Sequence, residues 1–437
     1  MKYTTLGYIE YNDSYLMLYR SVDKNDGSHG KWLGIGGKQK KSEHIDDCFI
    51  REVREEAGIN LTKEQIKRRG IIDYSSENYG NERMFLYTAS VDSDYFEPGC
   101  DEGNLKWIKK SEILSLNLWE GDPYFLKRLI NDEPFFVMSC LYGGETDELK
   151  EVIYDKLVLT DVEDLTDEAL QIYTKLSENQ LKHIYEPKEG LFIAETPVVI
   201  ERAVHYGYEM ESLFVEHSKL FDASIYNIYD KNKKSQANNE IKLFTASENV
   251  MRNITGYGIT LGVLAAMKRK KLPTVKEIIS NEAIKKIALL EDVMNPANVG
   301  AIVRSATALN ADAVICTNGC ADPLYRRAIR VSMGNIFSVP YTVTENDNYI
   351  DELKNAGFNI VSMALSDDSY SLSDKELSVL QGEKTVVAFG TESTGISDKL
   401  LSKSDYIVKI PMSNDVDSLN VAAASAVTFW ELFTKRN

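Results

Sequence analysis

The sequence predicts an α/β protein of several domains, and three observations lead there. The C-terminal third alternates short, nearly continuous apolar runs with helix-like segments, the pattern of a parallel sheet covered on both faces. Strand-like alternation opens the chain and precedes a segment of helical period at Ile45–Ala57. The chain has 437 residues, long for one domain at roughly 150 residues each.

Residues 1–155 read as the first α/β unit. Strands are expected over Thr4–Ile9, Tyr15–Tyr19, Met84–Thr88 and Phe135–Ser139. An acidic, helix-prone stretch without nameable chemistry covers 158–185. From Gly190 the pattern restarts, with a strand at Leu191–Ala194, a helix at Val198–Tyr206 and a strand at Ser212–Val215; this second unit is bounded as 156–282. The third, 283–437, has apolar runs at Ile287–Leu290, Ala313–Cys316, Ile360–Met363 and Val386–Phe389.

An apolar content of 43% is ample for ordinary cores. No stretch approaches the ~20 apolar residues of a membrane span, and the first residues lack the apolar block and cleavage site of a signal peptide. Five cysteines (Cys48, Cys100, Cys140, Cys316, Cys320) are odd in number and scattered, giving neither a disulfide framework nor a zinc site. A reducing cytoplasm and no membrane partner are expected. The net charge of −17 argues against a polyanionic partner only in total, because local patches decide binding. Two basic clusters, Lys231 to Lys234 and Lys268 to Lys271, are solvated turns unless another signal points to nucleic acid.

The segment from Gly37 to Ile59 carries the first chemistry. Gly37 is followed after five residues by Glu43, and after seven more by Arg51-Glu52-Val53-Arg54-Glu55-Glu56-Ala57-Gly58-Ile59. Positions i, i+3 and i+4 share a helix face, so Glu52, Glu55 and Glu56 project together. Their mutual repulsion is relieved by a hard divalent cation bound with a substrate's phosphates. Ile45, Phe49, Val53 and Ala57 supply the buried stripe, Gly58 ends the helix, and His44 is expected at the surface. The segment resembles the Nudix box at every defining position, which implies an α/β/α sandwich that hydrolyses a phosphoanhydride with Mg²⁺, or Mn²⁺, held by Glu52, Glu55 and Glu56.

Beyond the box, Lys31-Trp32 and Trp119-Glu120-Gly121-Asp122 resemble the branch acting on oxidised purine nucleoside triphosphates. Trp119 is then a candidate to stack a purine, or an ordinary half-buried aromatic, and Asp122 a candidate to bond the purine edge. Leu33 stands where some members carry a base-reading Asn. Glu55 and Glu102 are the catalytic candidates, Glu102 as an outer metal ligand or the base that orients water.

Three loops after strands carry the second chemistry, at the place where open α/β sheets bind ligands. They are Asn295 to Gly300 leading to Arg304, Gly390-Thr391-Glu392-Ser393-Thr394-Gly395, and Ile410-Pro411-Met412 followed by Ser418-Leu419-Asn420. With Arg330-Val331-Ser332-Met333-Gly334-Asn335 between them, they resemble the SpoU (TrmH-like) branch of the SPOUT RNA methyltransferases. That resemblance implies a trefoil-knot α/β domain, a homodimer and an S-adenosylmethionine site built from Thr317, Gly390, Glu392, Gly395, Ile410, Met412, Ser418, Leu419 and Asn420. It also implies methyl transfer to a ribose 2′-hydroxyl of tRNA or rRNA, with Arg304 and Asn298 catalytic and Arg330 and Ser332 contacting substrate. Glu392 is a candidate for loop geometry or for RNA contact. Asn414 replaces the usual Gly, and Asn tolerates left-handed geometry. The block Gly190 to His217 resembles the L30e-like α/β domain that precedes such enzymes, which would make Lys268 and Arg269 phosphate contacts.

Overall fold

The computed structural model describes residues 2–434 apart from 22–27, 98–102, 145–146, 155–156, 163–170, 175, 185–189, 223, 226–227, 229–240, 256–261, 345–347, 367–368, 392–393 and 414–417. Glu102, Glu392, Asn414 and the cluster Lys231 to Lys234 therefore lie outside the described residues. The chain divides into two compact units. The first holds Met1–Asp161, Leu220–Asp222 and Glu240–Thr245, and the second Val162–Lys219, Ala223–Asn239 and Ala246–Asn437.

In the first unit the strands are β1 (Lys2–Tyr11), β2 (Ser14–Tyr19), β3 (Trp32–Leu33), β4 (Ile66–Ser76), β5 (Gly80–Ser90), β6 (Asn104–Lys109), β7 (Phe136–Gly143), β8 (Glu148–Tyr154) and β9 (Leu157–Val162). The order β3-β2-β1-β5-β4-β7-β8, with β6 also on β2, makes an eight-stranded mixed sheet. β1 runs parallel to β5 and β4 parallel to β7. All four expected strands are present. The sequence pattern misses β4, because Lys67, Arg68 and Arg69 interrupt its apolar run. The structure shows why those cations are tolerated: Arg68 pairs with buried Asp46, and Arg69 pairs with Asp132 and donates to Glu133 O.

The box helix spans Ile45–Ala57 and ends at Gly58 with φ 68°, the left-handed geometry that favours glycine. Its buried residues include Ile45, Phe49, Val53 and Ala57, the expected stripe. Phe49 stacks on Tyr87 at 4.5 Å and 6°. Opposite, Gly7 on β1 leaves room for the ring. His44 does more than sit at the surface: its Nδ1 caps the helix by accepting from Asp46 N, and its Nε2 lies 3.2 Å from Asp222 Oδ1. The neighbouring Phe221 packs on Phe85 and Tyr87.

Past β9 the chain enters β10 (Leu191–Glu195), the helix Pro197–His205, β11 (Met210–Glu216), β12 (Ile241–Ala246, beside β9) and β13 (Val263–Lys268). β13 pairs antiparallel with both β10 and β11. The remaining strands are β14 (Lys286–Leu290), β15 (Ala313–Thr317), β16 (Tyr341–Thr344), β17 (Asn359–Met363), β18 (Tyr370–Ser371), β19 (Thr385–Phe389) and β20 (Tyr406–Lys409). They form one sheet in the order β16-β15-β14-β19-β17-β20-β18 with every neighbour parallel, as the apolar runs require. The protein is thus a mixed α/β multidomain chain. Among the described residues no helix is long and apolar enough to cross a membrane.

A Cβ built on Gly7 would lie 2.2 Å from the Phe49 ring. Gly7→Ala should therefore destabilise the first unit by about 1–3 kcal/mol, read as a lower urea midpoint for its unfolding transition.

Candidate functional site

The parallel sheet opens at its C-terminal edge into a cavity of about 580 Å³. Of the residues expected to hold a cofactor, Gly390, Gly395, Ile410, Met412, Ser418, Leu419 and Asn420 all line it. The loop 390–395 closes on itself, Thr391 and Gly395 exchanging backbone hydrogen bonds of 3.1 Å in both directions. Only glycine suits its ends: a Cβ on Gly390 would lie 2.2 Å from the Gly395 carbonyl, and Gly395 has φ 69°. Met363, Ala364 and Leu365 also line the cavity, together with Phe389, Ile396 and Lys409. The sequence analysis missed these. Their signal was available for 363–365, since Met363 ends β17 and 364–365 follow it, at the edge where open α/β sheets bind ligands.

Thr317 is not part of this cavity. Its hydroxyl donates to Asp292 Oδ1 at 2.6 Å and accepts from Asp292 N at 2.9 Å, so it fixes the turn after β14.

The helix Pro296–Ala308 starts beside the cavity. Asn295 caps it, accepting from Ala297 N at 2.9 Å, and Pro296 occupies the first turn, where a missing N–H is harmless. Asn298 is buried, and Asn420 Nδ2 donates to its Oδ1 at 3.4 Å. The structure thus brings together a catalytic candidate and a cofactor-loop residue 122 positions apart. Gly300 permits close approach of the following helix, as a Cβ there would lie 2.4 Å from Ala328 O. Arg304 lies on the same helix with its side chain exposed.

The expected substrate contacts fare differently. Ser332 is buried and its hydroxyl donates to Ile329 O at 3.0 Å, so it serves its own helix. Arg330 is partly exposed and lies 3.6 Å from the Glu195 carboxylate, which also pairs with Arg326. The side chain of Arg269 is only 9% exposed; it donates to Asp322 Oδ2 at 2.9 Å and to Leu191 O at 3.0 Å. Lys268 pairs with Glu209 at 3.2 Å, and Lys270 donates to Tyr206 O. These cations join strands and helices of the second unit. A basic run in sequence says nothing of the acidic partners that folding brings to it.

In the first unit, Arg51 organises the box carboxylates. Its guanidinium donates to Glu43 at 2.7 Å, Glu52 at 2.6 Å and Glu55 at 2.9 Å. This arginine holds the Glu43 carboxyl down at about 2. Glu52 also faces Gly37, where a Cβ would lie 2.5 Å from its carboxylate. Among the described residues no group of three or more His, Cys, Asp or Glu is arranged to hold a metal ion. The donor set on the helix face suits Mg²⁺ in kind, and Gly37 leaves open backbone beside it, but Arg51 engages two of the three carboxylates.

Asp122 opens the helix Asp122–Ile130 and is 4% exposed. Burial pushes its carboxyl up to about 7, against the opposing effects of a hydrogen bond from the Trp119 backbone and the Lys31 charge. Lys31 donates to Leu118 O at 2.8 Å and stands 5.4 Å from the Trp119 ring centre. Lys31 thus lies beside both Trp119 and Asp122.

This geometry can be set beside known proteins. The SpoU rRNA Methylase family pattern matches residues 285–430, and the NUDIX domain pattern matches 4–129. An uncharacterized tRNA/rRNA methyltransferase of Mycobacterium bovis is 33% identical over 278 residues, covering 63% of this chain and 92% of that protein. The 23S rRNA (guanosine(2553)-2′-O)-methyltransferase of Bacillus subtilis is 28% identical over 39% of this chain and 64% of its own length. An AdoMet-bound rRNA methyltransferase from Sinorhizobium meliloti shares the fold with TM-score 0.53 and 21% identity, covering 63% of this chain and 97% of its own. The parallel-sheet domain is therefore of the SpoU methylase kind, and a domain of the NUDIX kind is joined to it. The chain belongs to the SpoU/TrmH family of RNA methyltransferases and carries a Nudix domain at 4–129.

Because burial favours the neutral form, the raised Asp122 carboxyl adds stability that is complete below the unfolded value near 4 and is lost as pH rises to about 7. Urea stability of the wild type should fall across that window by up to about 1.4 kcal/mol per pH unit. In Asp122→Asn the slope should flatten.

Proposed function

We propose that this protein is an S-adenosylmethionine-dependent RNA ribose 2′-O-methyltransferase, acting on tRNA or rRNA, whose Nudix domain hydrolyses a nucleoside triphosphate with Mg²⁺. The observation that carries the first activity is the loop-lined cavity, seated beside the helix that bears Asn298 and Arg304. Apolar Phe389, Ile396, Ile410, Met412 and Leu419 suit an adenine, while Thr391, Ser418 and Asn420 suit a ribose and an amino acid. Bound there, S-adenosylmethionine supplies an electrophilic methyl group on a sulfonium. The protein's own part is to prepare the hydroxyl.

A ribose hydroxyl is a weak nucleophile that needs its developing negative charge stabilised. Arg304 remains protonated at any working pH and is exposed to an incoming RNA, so it serves to position the ribose and stabilise the oxyanion rather than to remove a proton. Asn298, linked to Asn420, ties that helix to the cofactor loops. The name of the Bacillus relative supports the 2′-hydroxyl as acceptor. On the last helix, Val421–Phe433, Phe429 and Leu432 are buried while Val427 and Trp430 are exposed, Trp430 at 56%. This apolar face supports a homodimer through the methyltransferase domain. We further read three domains, 1–155, 156–282 and 283–437, the second L30e-like and the third knotted.

For the Nudix domain, Glu52, Glu55 and Glu56 would hold Mg²⁺, which neutralises phosphate charge and activates water. Trp119 would stack the base and Asp122, neutral to about pH 7, would bond its edge; an oxidised purine fits that pair. The engagement of Glu52 and Glu55 by Arg51 favours a second reading, in which this domain binds and senses a nucleotide without cleaving it.

Two measurements decide these readings. Arg304→Ala should lower methyl transfer about 10²–10³-fold, as loss of one charge-stabilising donor does, with S-adenosylmethionine still bound; mapping 2′-O-methylation across total RNA with and without the protein gives the target. Mg²⁺-dependent pyrophosphate release from a nucleotide panel should fall more than about 100-fold in Glu56→Gln, and a wild type inactive on the whole panel would favour the sensing role.

A further inference from the structure

Glu291 follows β14 and is 8% exposed, buried among loops that no catalytic role explains. Its backbone N–H donates to Phe389 O at 2.8 Å, the residue just before the loop 390–396. Its carboxylate accepts from Ser397 N at 2.7 Å and from Ser397 Oγ at 2.8 Å, the residue just after that loop. Ser397 Oγ in turn accepts from Leu400 N at 3.3 Å, capping the helix Asp398–Lys403, so both of its hydrogen-bonding directions are fixed. Gly390, Thr391, Thr394, Gly395 and Ile396 between these anchors line the cavity. The next residue, Asp292, has φ 55° and is held by Thr317; three positions on, Asn295 caps the helix of Asn298 and Arg304.

We propose that Glu291 is a positioning residue of the cofactor site: its backbone N–H joins the ladder at Phe389, its carboxylate holds Ser397, and the cavity-lining Gly390, Thr391, Thr394, Gly395 and Ile396 are thereby set against the end of β14. The proposal rests on the S-adenosylmethionine reading of the cavity. A carboxylate suits the task because it is acceptor-only and meets two donors from one residue. Glutamine would present an N–H₂ group to those donors and leave one unsatisfied in a buried place. Thr391 and Gly395 close the loop through their own backbone bonds, so what the carboxylate controls is the placement of Ser397, and with it the closed loop, against the end of β14.

In the full-length protein, Glu291→Gln should weaken S-adenosylmethionine binding about ten-fold by calorimetry, the size expected for a lost charge-assisted bond. Amide exchange should quicken at Gly390, Thr391 and Thr394–Ser397 and not through the rest of the unit, with the thermal midpoint lowered only by about 2–4 °C, the cost of one unsatisfied buried donor. Ser397→Ala should weaken binding by itself yet add little to Glu291→Gln, because the two act through one contact. Binding within about two-fold of wild type would overturn the proposal. So would a midpoint lowered further with exchange quickened throughout the unit, the mark of an ordinary fold residue. A wild type that binds no S-adenosylmethionine would instead overturn the cofactor reading, and the exchange measurement would then decide the placement of the loop alone.

Discussion

The site in the second unit depends on one register: β14 and β19 lie parallel with Leu290 opposite Phe389. Both strands end at the same level, so the chain segments leaving them emerge side by side. One leads through Asp292 to the helix of Asn298 and Arg304, the other into the glycine-ended loop at 390. A slip of one residue would exchange the side chains packed on the two buried faces and separate the two segments. Everything chemical in that unit is arranged around this shared edge. Glycine completes it where backbone meets backbone, at Gly390 against Gly395 and at Gly300 against Ala328.

The first unit solves a different problem, how to keep acidic side chains close on one helix face. Phe49 on Tyr87 fixes the helix rotation against the sheet. Arg51 then gathers Glu43, Glu52 and Glu55 from a position where one guanidinium reaches all three. This arrangement relieves the repulsion that a cation would otherwise have to relieve. It also means that metal binding and the arginine network compete for the same oxygens. Asp122 shows the complementary device: a carboxyl whose ionisation is held back by burial, up to about 7, rather than by a partner.

The elements most legible in sequence were those whose signal is local. The box helix could be bounded because its stripe, its carboxylates and Gly58 all lie within one short segment. The strands of the parallel sheet were legible because both faces are buried and the apolar runs are therefore unbroken. β4 was not legible, because the partners that neutralise Arg68 and Arg69, Asp46 and Asp132, are distant in sequence. His44 likewise read as a surface residue, since Asp222 lies 178 positions away. Thr317 and Ser332 were assigned to ligands by position in a motif and Arg269 by its basic run, and each bonds a backbone or carboxylate group of the protein itself. A side chain's type is local, but what it touches is not.

The sequence by itself determined the two kinds of domain and the spacing of their candidate residues, because spacing on a helix and glycine at loop ends are properties of the chain alone. It also determined that cofactor loops follow strands. Only the tertiary structure decided which cations remain available, that Asn420 reaches Asn298, and that Glu291 holds a loop a hundred residues further along the chain. The reason is physical. Charges and hydrogen bonds are settled by proximity in space, and the parallel sheet creates that proximity between segments whose sequences carry no mark of one another.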